Sequence, residues 1–189
     1  MINGNSEIVM AKAFREAGEI LRCHTMGGGI DSGYNIGNHC YNCLSLLFVL
    51  NDNPSLNLIK AVLWHDTGER WLGDLPATAK WSYPEVAEKY EEAEKTVMRN
   101  LGVCYEDILS SEEMKWLKAV DILELWLWTQ NQMASGNRKV ESMRNQCEYC
   151  IENRDMPDIA MEFYRQMREN PQINYRLSEF INEVCEQND

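Results

Sequence analysis

Histidine is scarce in this chain: only three occur among 189 residues, at His24, His39 and His65. None lies beyond His65, so imidazole chemistry is confined to the first part of the sequence. Positive charge is also short, with 18 Lys plus Arg against 30 Asp plus Glu and a formal net charge of −12. So acidic a surface repels a phosphate backbone and an anionic bilayer, which argues against nucleic-acid and membrane-surface partners. Long apolar runs are missing, and no stretch reaches the roughly 18 residues needed to span a bilayer. The opening Met1-Ile2-Asn3-Gly4-Asn5-Ser6-Glu7 lacks the basic and apolar regions of a secretory signal. Convincing strand-like alternation, internal repeats and low-complexity linkers are absent too. The expectation is a soluble cytoplasmic globule.

What is present reads as helix. Hydrophobic residues make up 44% and charged residues 25%, enough to bury one core over residues 1–189 as a single all-α domain without disulfides. An apolar stripe at Ile8, Val9, Ala13, Ala17, Ile20 and Leu21 predicts a first helix. Gly27-Gly28-Gly29 opens a loop that runs to Gly37. His39 to Leu50 reads as a mostly buried helix, and Pro54 is expected to open the next one, toward His65. Pro84 starts a charged amphipathic helix closed by Gly102. Ser110 or Ser111 caps a long helix that ends at Gly136-Asn137, and two or three weaker helices follow. The seven Cys are an odd number and predict free thiols in a reducing compartment. Cys40 and Cys43 form one C-x-x-C and Cys147 and Cys150 another, about a hundred residues apart, which does not fit a compact zinc ribbon. Both pairs read as small buried hydrophobes.

Two places carry chemistry. His65-Asp66 follows the apolar run Ala61-Val62-Leu63-Trp64. A carboxylate there is costly to bury unless it is paired or holds a metal, and imidazole beside carboxylate suits a first-row divalent ion. Asp121 lies in the apolar stretch Val120-Asp121-Ile122-Leu123-Glu124-Leu125. It is either a metal ligand or a helix-surface acid near Lys118, with Glu124 the better candidate for the wet face.

The ordered set His39, His65-Asp66 and Asp121 resembles the H…HD…D pattern of the HD-domain metal-dependent phosphohydrolases. The segment His65-Asp66-Thr67-Gly68-Glu69-Arg70-Trp71-Leu72-Gly73-Asp74-Leu75-Pro76-Ala77-Thr78-Ala79-Lys80 carries every fixed position of the 5′-deoxynucleotidase signature H-D-x-x-E-x-x-x-G-D-[LI]-P-x-x-x-K. A signature core of about 22–137 follows, with C-terminal helices over 138–189. Ala17 through Thr25 also looks like phage deoxynucleoside triphosphohydrolases of this branch.

The resemblance implies a compact HD-domain helical bundle in which His39, His65, Asp66 and Asp121 ligate one divalent ion (Co²⁺, Mn²⁺, Zn²⁺ or Mg²⁺). It implies Glu69 as acid or base, Arg22 and Lys80 as phosphate partners, and Asp74 on the sugar 3′-hydroxyl. His24 is a further candidate for phosphate or the pocket wall, and Trp81 and Tyr34 for stacking on a base. The implied activity is hydrolysis of a small deoxynucleotide in a homo-oligomer, in a host cytoplasm if the chain is viral. The leading expectation is a triphosphohydrolase on dATP or related purine dNTPs. The alternatives are a 5′-deoxynucleotidase on dNMPs and a catalytically silent nucleotide-binding module. Two departures stand out: Cys23 replaces the family's Trp after the arginine, and Asn38-His39 replaces its Glu-His.

Overall fold

Helix α7 is the axis on which four of the other helices, the second, third, eighth and ninth, pack. In the computed structural model, which describes residues 6–25 and 33–170, the order is α1 (Ser6–Ala17), α2 (Ile36–Leu50), α3 (Leu56–Trp64), α4 (Glu69–Leu72), α5 (Ala77–Ser82), α6 (Pro84–Asn100), α7 (Ser111–Ala134), α8 (Glu141–Asn153) and α9 (Asp158–Glu169). Short 3₁₀ turns at Tyr105–Ile108 and Arg138–Val140 precede α7 and α8. Among the described residues there is no strand, only an isolated bridge between Leu21 and Asn35. The fold is all-α, as the sequence predicts. The glycine-rich segment 27–29 and any helix beyond 170 lie outside the described residues.

Helix α7 begins where expected, and Ser110 is the cap. Its hydroxyl accepts from the Glu113 N–H at 3.2 Å while the Glu113 carboxylate accepts from the Ser110 N–H at 2.8 Å, a reciprocal capping box. Ser55, not Pro54, caps α3 by accepting from the Leu58 N–H, and its hydroxyl also bonds Glu113, tying the two helix starts together. Helix α7 then buries Leu117, Ala119, Val120, Leu123 and Trp126. One cluster joins it to α2 and α3 through Leu47, Leu58 and Val62; another joins it to α8 and α9 through Met143, Ile151 and Tyr164.

The first helix departs from expectation. It stops at Ala17, and Ile8 and Val9 are 66% and 65% exposed, while Ala13 and Ala17 face inward. Past Ala17 the chain runs extended beside residues 34–37: Arg22 N–H donates to Tyr34 O at 3.0 Å and Ile36 N–H to Ile20 O at 3.0 Å. Two glycines let these segments touch. A Cβ on Gly37 would lie 3.2 Å from the Gly18 carbonyl oxygen, and one on Gly18 would lie 3.6 Å from the Gly37 Cα. This contact brings Arg22 alongside the start of α2.

If α7 is the structural axis, truncation at its centre should be expensive. Leu123→Ala, at a fully buried position, is expected to cost about 2–5 kcal/mol in urea unfolding with little change in m-value.

Candidate metal centre and cavity

Three elements bring the sequence's four candidate ligands together: donor atoms of His39, His65 and Asp121 all lie within 4.8 Å of one another, while Asp66 touches both imidazoles through different oxygens and also groups with Glu69 and Glu94. Helix α2 supplies His39, the turn between α3 and α4 supplies His65 and Asp66, and α7 supplies Asp121. His39 Nε2 lies 3.1 Å from His65 Nε2, 3.2 Å from Asp121 Oδ1 and 3.6 Å from Asp66 Oδ2. His65 Nε2 lies 3.4 Å from Asp66 Oδ1 and 3.8 Å from Asp121 Oδ1. The helix α3 ends at Trp64, so His65 and Asp66 sit in a tight turn rather than on a continuous helix. The bonds Thr67 N–H to Trp64 O at 3.0 Å and Glu69 N–H to Asp66 O at 3.1 Å close that turn.

Hydrogen bonding on the far side of each ring fixes which nitrogen faces the centre. His65 Nδ1 lies 2.9 Å from the Val62 carbonyl oxygen, which can only accept, so Nδ1 carries the proton. His39 Nδ1 lies 2.5 Å from Glu124 Oε2. In the neutral rings both Nε2 lone pairs therefore point inward. Two imidazole nitrogens with two carboxylates form a donor set suited to a first-row divalent ion. Asp66 and Asp121 remain ionised. Burial opposes this, but His65, Arg22 and His39 hold Asp66 low, and contacts with His39 and His65 hold Asp121 well below the usual carboxylate range.

A carboxylate cluster adjoins the centre. Oxygens of Asp66, Glu69 and Glu94 all lie within 4.8 Å of one another. Glu69 is 1% exposed, and burial, then Asp66, pushes its pKa up to about 9. Glu94, from α6, is pushed up to about 7 by the same two causes in the same order. Glu69 Oε2 and Glu94 Oε1 are buried without a hydrogen-bond partner among the described residues. Arg22 binds Asp66 and lies 3.9 Å from Glu69 Oε1. Arg70 does not pair with Glu69, because it reaches Glu16 on α1 at 2.8 Å.

A cavity of about 510 Å³ opens beside these groups, with Arg22, Asp66, Asp74, Lys80, Trp81 and Asp121 in its wall. That volume suits a small organic ligand. Lys80, on α5, forms no ion pair within 4.0 Å among the described residues. Asp74 Oδ2 accepts from the Cys23 backbone N–H at 3.1 Å and lies 3.6 Å from His24 Nδ1. Cys23 adopts a left-handed φ of 54°, rare for a residue with a Cβ. Its thiol packs toward the α7 core, where burial raises its pKa to about 12.

Two sequence expectations are corrected. Glu124 is not on the wet face: it is 3% exposed and bonded to His39, to the Tyr34 hydroxyl and, at 3.0 Å, to Asn42 Nδ2. Tyr34 does not stand open for a base. It is buried, and its ring stacks on Trp128 with centroids 4.8 Å apart. Glu94 gave no sequence signal, since it is one of many acids in a charged amphipathic helix. The thiols of Cys40, Cys43, Cys147 and Cys150 are free, with Cys150 half-buried and the others buried.

The arrangement belongs to a class: all-α proteins that gather two histidines and two aspartates from two helices and an interhelical turn beside a ligand-sized cavity. The family described as 5′-deoxynucleotidase YfbR-like matches residues 48–170, and the chain belongs to that family. The match takes in His65, Asp66, Glu69 and Asp121 but not His39, whose place beside them rests on geometry. The chain is also 26% identical over 110 residues to a 5′-deoxynucleotidase of Vibrio atlanticus (strain LGP32), covering 51% of this chain and 57% of the relative. The matched stretch thus spans little more than half of that relative.

The raised carboxyl groups carry a pH signature. Above the ordinary value of 4.5 an unfolded glutamate releases its proton, whereas folded, metal-free protein keeps the Glu69 proton up to about 9 and the Glu94 proton up to about 7. Over that window the folded state binds more protons, so stability falls as pH rises. Chelator-treated protein is expected to melt lower at about pH 8.5 than at about pH 6. Glu69→Gln, which cannot ionise, should shrink the difference in differential scanning calorimetry.

Proposed function

We propose that the protein is a metal-dependent 5′-deoxynucleotidase that hydrolyses deoxynucleoside monophosphates to deoxynucleoside and phosphate. The observation that carries this reading is the convergence of His39, His65, Asp66 and Asp121. These four residues would hold the ion. When bound, a divalent ion draws charge from a phosphoryl oxygen and lowers the pKa of water toward neutrality.

The remaining steps fall to the chain's own side chains. Arg22 and Lys80 meet the phosphate; the arginine offers a two-pronged grip and the lysine a point charge. In a chain of net charge −12, these local cations admit an anion that the surface would repel. Glu69, which burial keeps protonated, gives its proton to the departing 5′ oxygen as the P–O bond breaks. It takes one back from the entering water, so the carboxyl group is restored. Asp74 has one oxygen engaged by Cys23 N–H and the other available to the sugar 3′-hydroxyl. Trp81 and the neighbouring apolar wall face the rest of the nucleoside, with His24 at the rim.

The monophosphate is favoured over the triphosphate that the sequence suggested first. The family description and the relative's name both specify a 5′-deoxynucleotidase. Self-association, also expected from sequence, is supported by Tyr41 and Val49 on α2, which are 70% and 75% exposed.

Phosphate release from dNMP, dNDP and dNTP, measured with Mg²⁺, Mn²⁺ and Co²⁺, tests the reading. Turnover is expected with monophosphates. Release from triphosphates alone would reject it, and a nucleotide-dependent melting shift without any turnover would mark a silent binding module. Asp121→Ala should lose metal and activity together. Glu69→Ala should keep its metal while turnover falls by about 10²–10⁴-fold.

A further inference from the structure

The two inward-facing imidazoles are not equivalent. Behind His65 stands a neutral acceptor, the Val62 carbonyl, at 2.9 Å. Behind His39 stands a carboxylate, Glu124, at 2.5 Å. His39 is fully buried and Glu124 nearly so, so water screens little of that interaction. The Glu124 carboxylate is held from three sides. Oε2 takes the Tyr34 hydroxyl together with His39 Nδ1, and Oε1 takes Asn42 Nδ2. Tyr34 is itself fixed by its stack on Trp128, one helical turn beyond Glu124 on α7.

A carboxylate accepting the Nδ1 proton pushes electron density through the ring to Nε2, and it does so more strongly than a peptide carbonyl. We infer that Glu124 is a positioning residue. Acting through His39 Nδ1, it makes His39 the stronger of the two ion-holding imidazoles and sets how tightly the centre keeps its metal. This rests on the metal-dependent reading above and adds to it a determinant outside the four proposed ligands. The Tyr34 hydroxyl acts in the opposite sense, because it shares Oε2 with His39 and draws charge away from that bond.

The opposed signs separate this role from packing. Metal-free protein is titrated with Co²⁺, with affinity read by chelator competition and ligand field by the visible absorption bands. Glu124→Gln keeps the shape and removes the charge; its dissociation constant is expected to rise about 10–100-fold, with a shift of the Co²⁺ bands. Tyr34→Phe keeps the Trp128 stack and should bind as tightly as wild type or more tightly. Should Glu124→Gln not fold, Glu124→Asp retains the charge but withdraws it from Nδ1, and the same loss is expected.

An affinity for Glu124→Gln within about threefold of wild type overturns the inference. So does a loss in Tyr34→Phe as large as that in Glu124→Gln, since packing alone would produce it. A wild-type chain that takes up no divalent ion is a different result: it removes the hydrolase reading itself.

Discussion

Two imidazole nitrogens face each other across 3.1 Å, and the hydrogen bonds behind both rings leave each without a proton in the neutral state. Lone pair against lone pair is repulsive, so the pair is favourable only with a positive charge between the rings. The neighbouring Asp66 and Asp121 carboxylates call for the same charge. Without metal, a proton is the available substitute. Burial works against a charged His65, yet Asp66 raises its pKa well above the ordinary value. The centre is thus arranged around a cation. The packing of α2, the α3–α4 turn and α7 must hold that arrangement against the self-repulsion of its parts. The central helix is accordingly buried all round at its middle, from Ile122 to Trp126, rather than along a single stripe.

The same logic governs Arg22. It lies against Asp66, is 11% exposed, and has a buried Nε without a partner among the described residues. Its partner is one of the four proposed ligands. On the proposed reading, an ion that takes the Asp66 carboxylate weakens that carboxylate's hold on the guanidinium, leaving the arginine freer to meet phosphate. One acidic side chain would then serve two cations. The crossing at Gly18 and Gly37 matters for this reason: it carries Arg22 to the centre from outside the helical core.

The helical architecture was legible because caps and breakers are local. Ser110 with Glu113, Pro84 and Gly102 act within a turn or two, and the structure uses each of them. His65, Asp66 and Asp121 stood out because a carboxylate among apolar neighbours needs a partner. Glu124 was misread by the same helical arithmetic. Assigning it to water assumes a helix with one wet face, but around Glu124 helix α7 is enclosed, with Ile122 through Trp126 buried in succession. Ile8 and Val9 failed the other way: their periodicity is sound, yet the helix that carries them leaves them exposed. Tyr34 and Glu94 depend on contacts across 90 and 25 or more residues of chain, which no local pattern records.

Glu94 shows how a distant contact becomes visible once its cause is known. A Cβ on Gly68 would lie 2.7 Å from Glu94 Cγ and 3.4 Å from the Glu94 carbonyl oxygen, so only glycine at that position lets α6 approach so closely. Within the signature segment, Gly68 falls at a position the pattern leaves free, and its identity carries no message when read as sequence. In space it admits a third carboxyl group beside Asp66 and Glu69. Three acids sharing a few ångströms cannot all ionise cheaply, and in Glu69 and Glu94 burial, then Asp66, outweighs the nearby cations and raises the pKa. A helix that reads as a solvated surface element therefore brings a third carboxyl group to the cluster. The acid chemistry proposed for Glu69 rests on its burial and on Asp66, in the turn that joins α3 to α4.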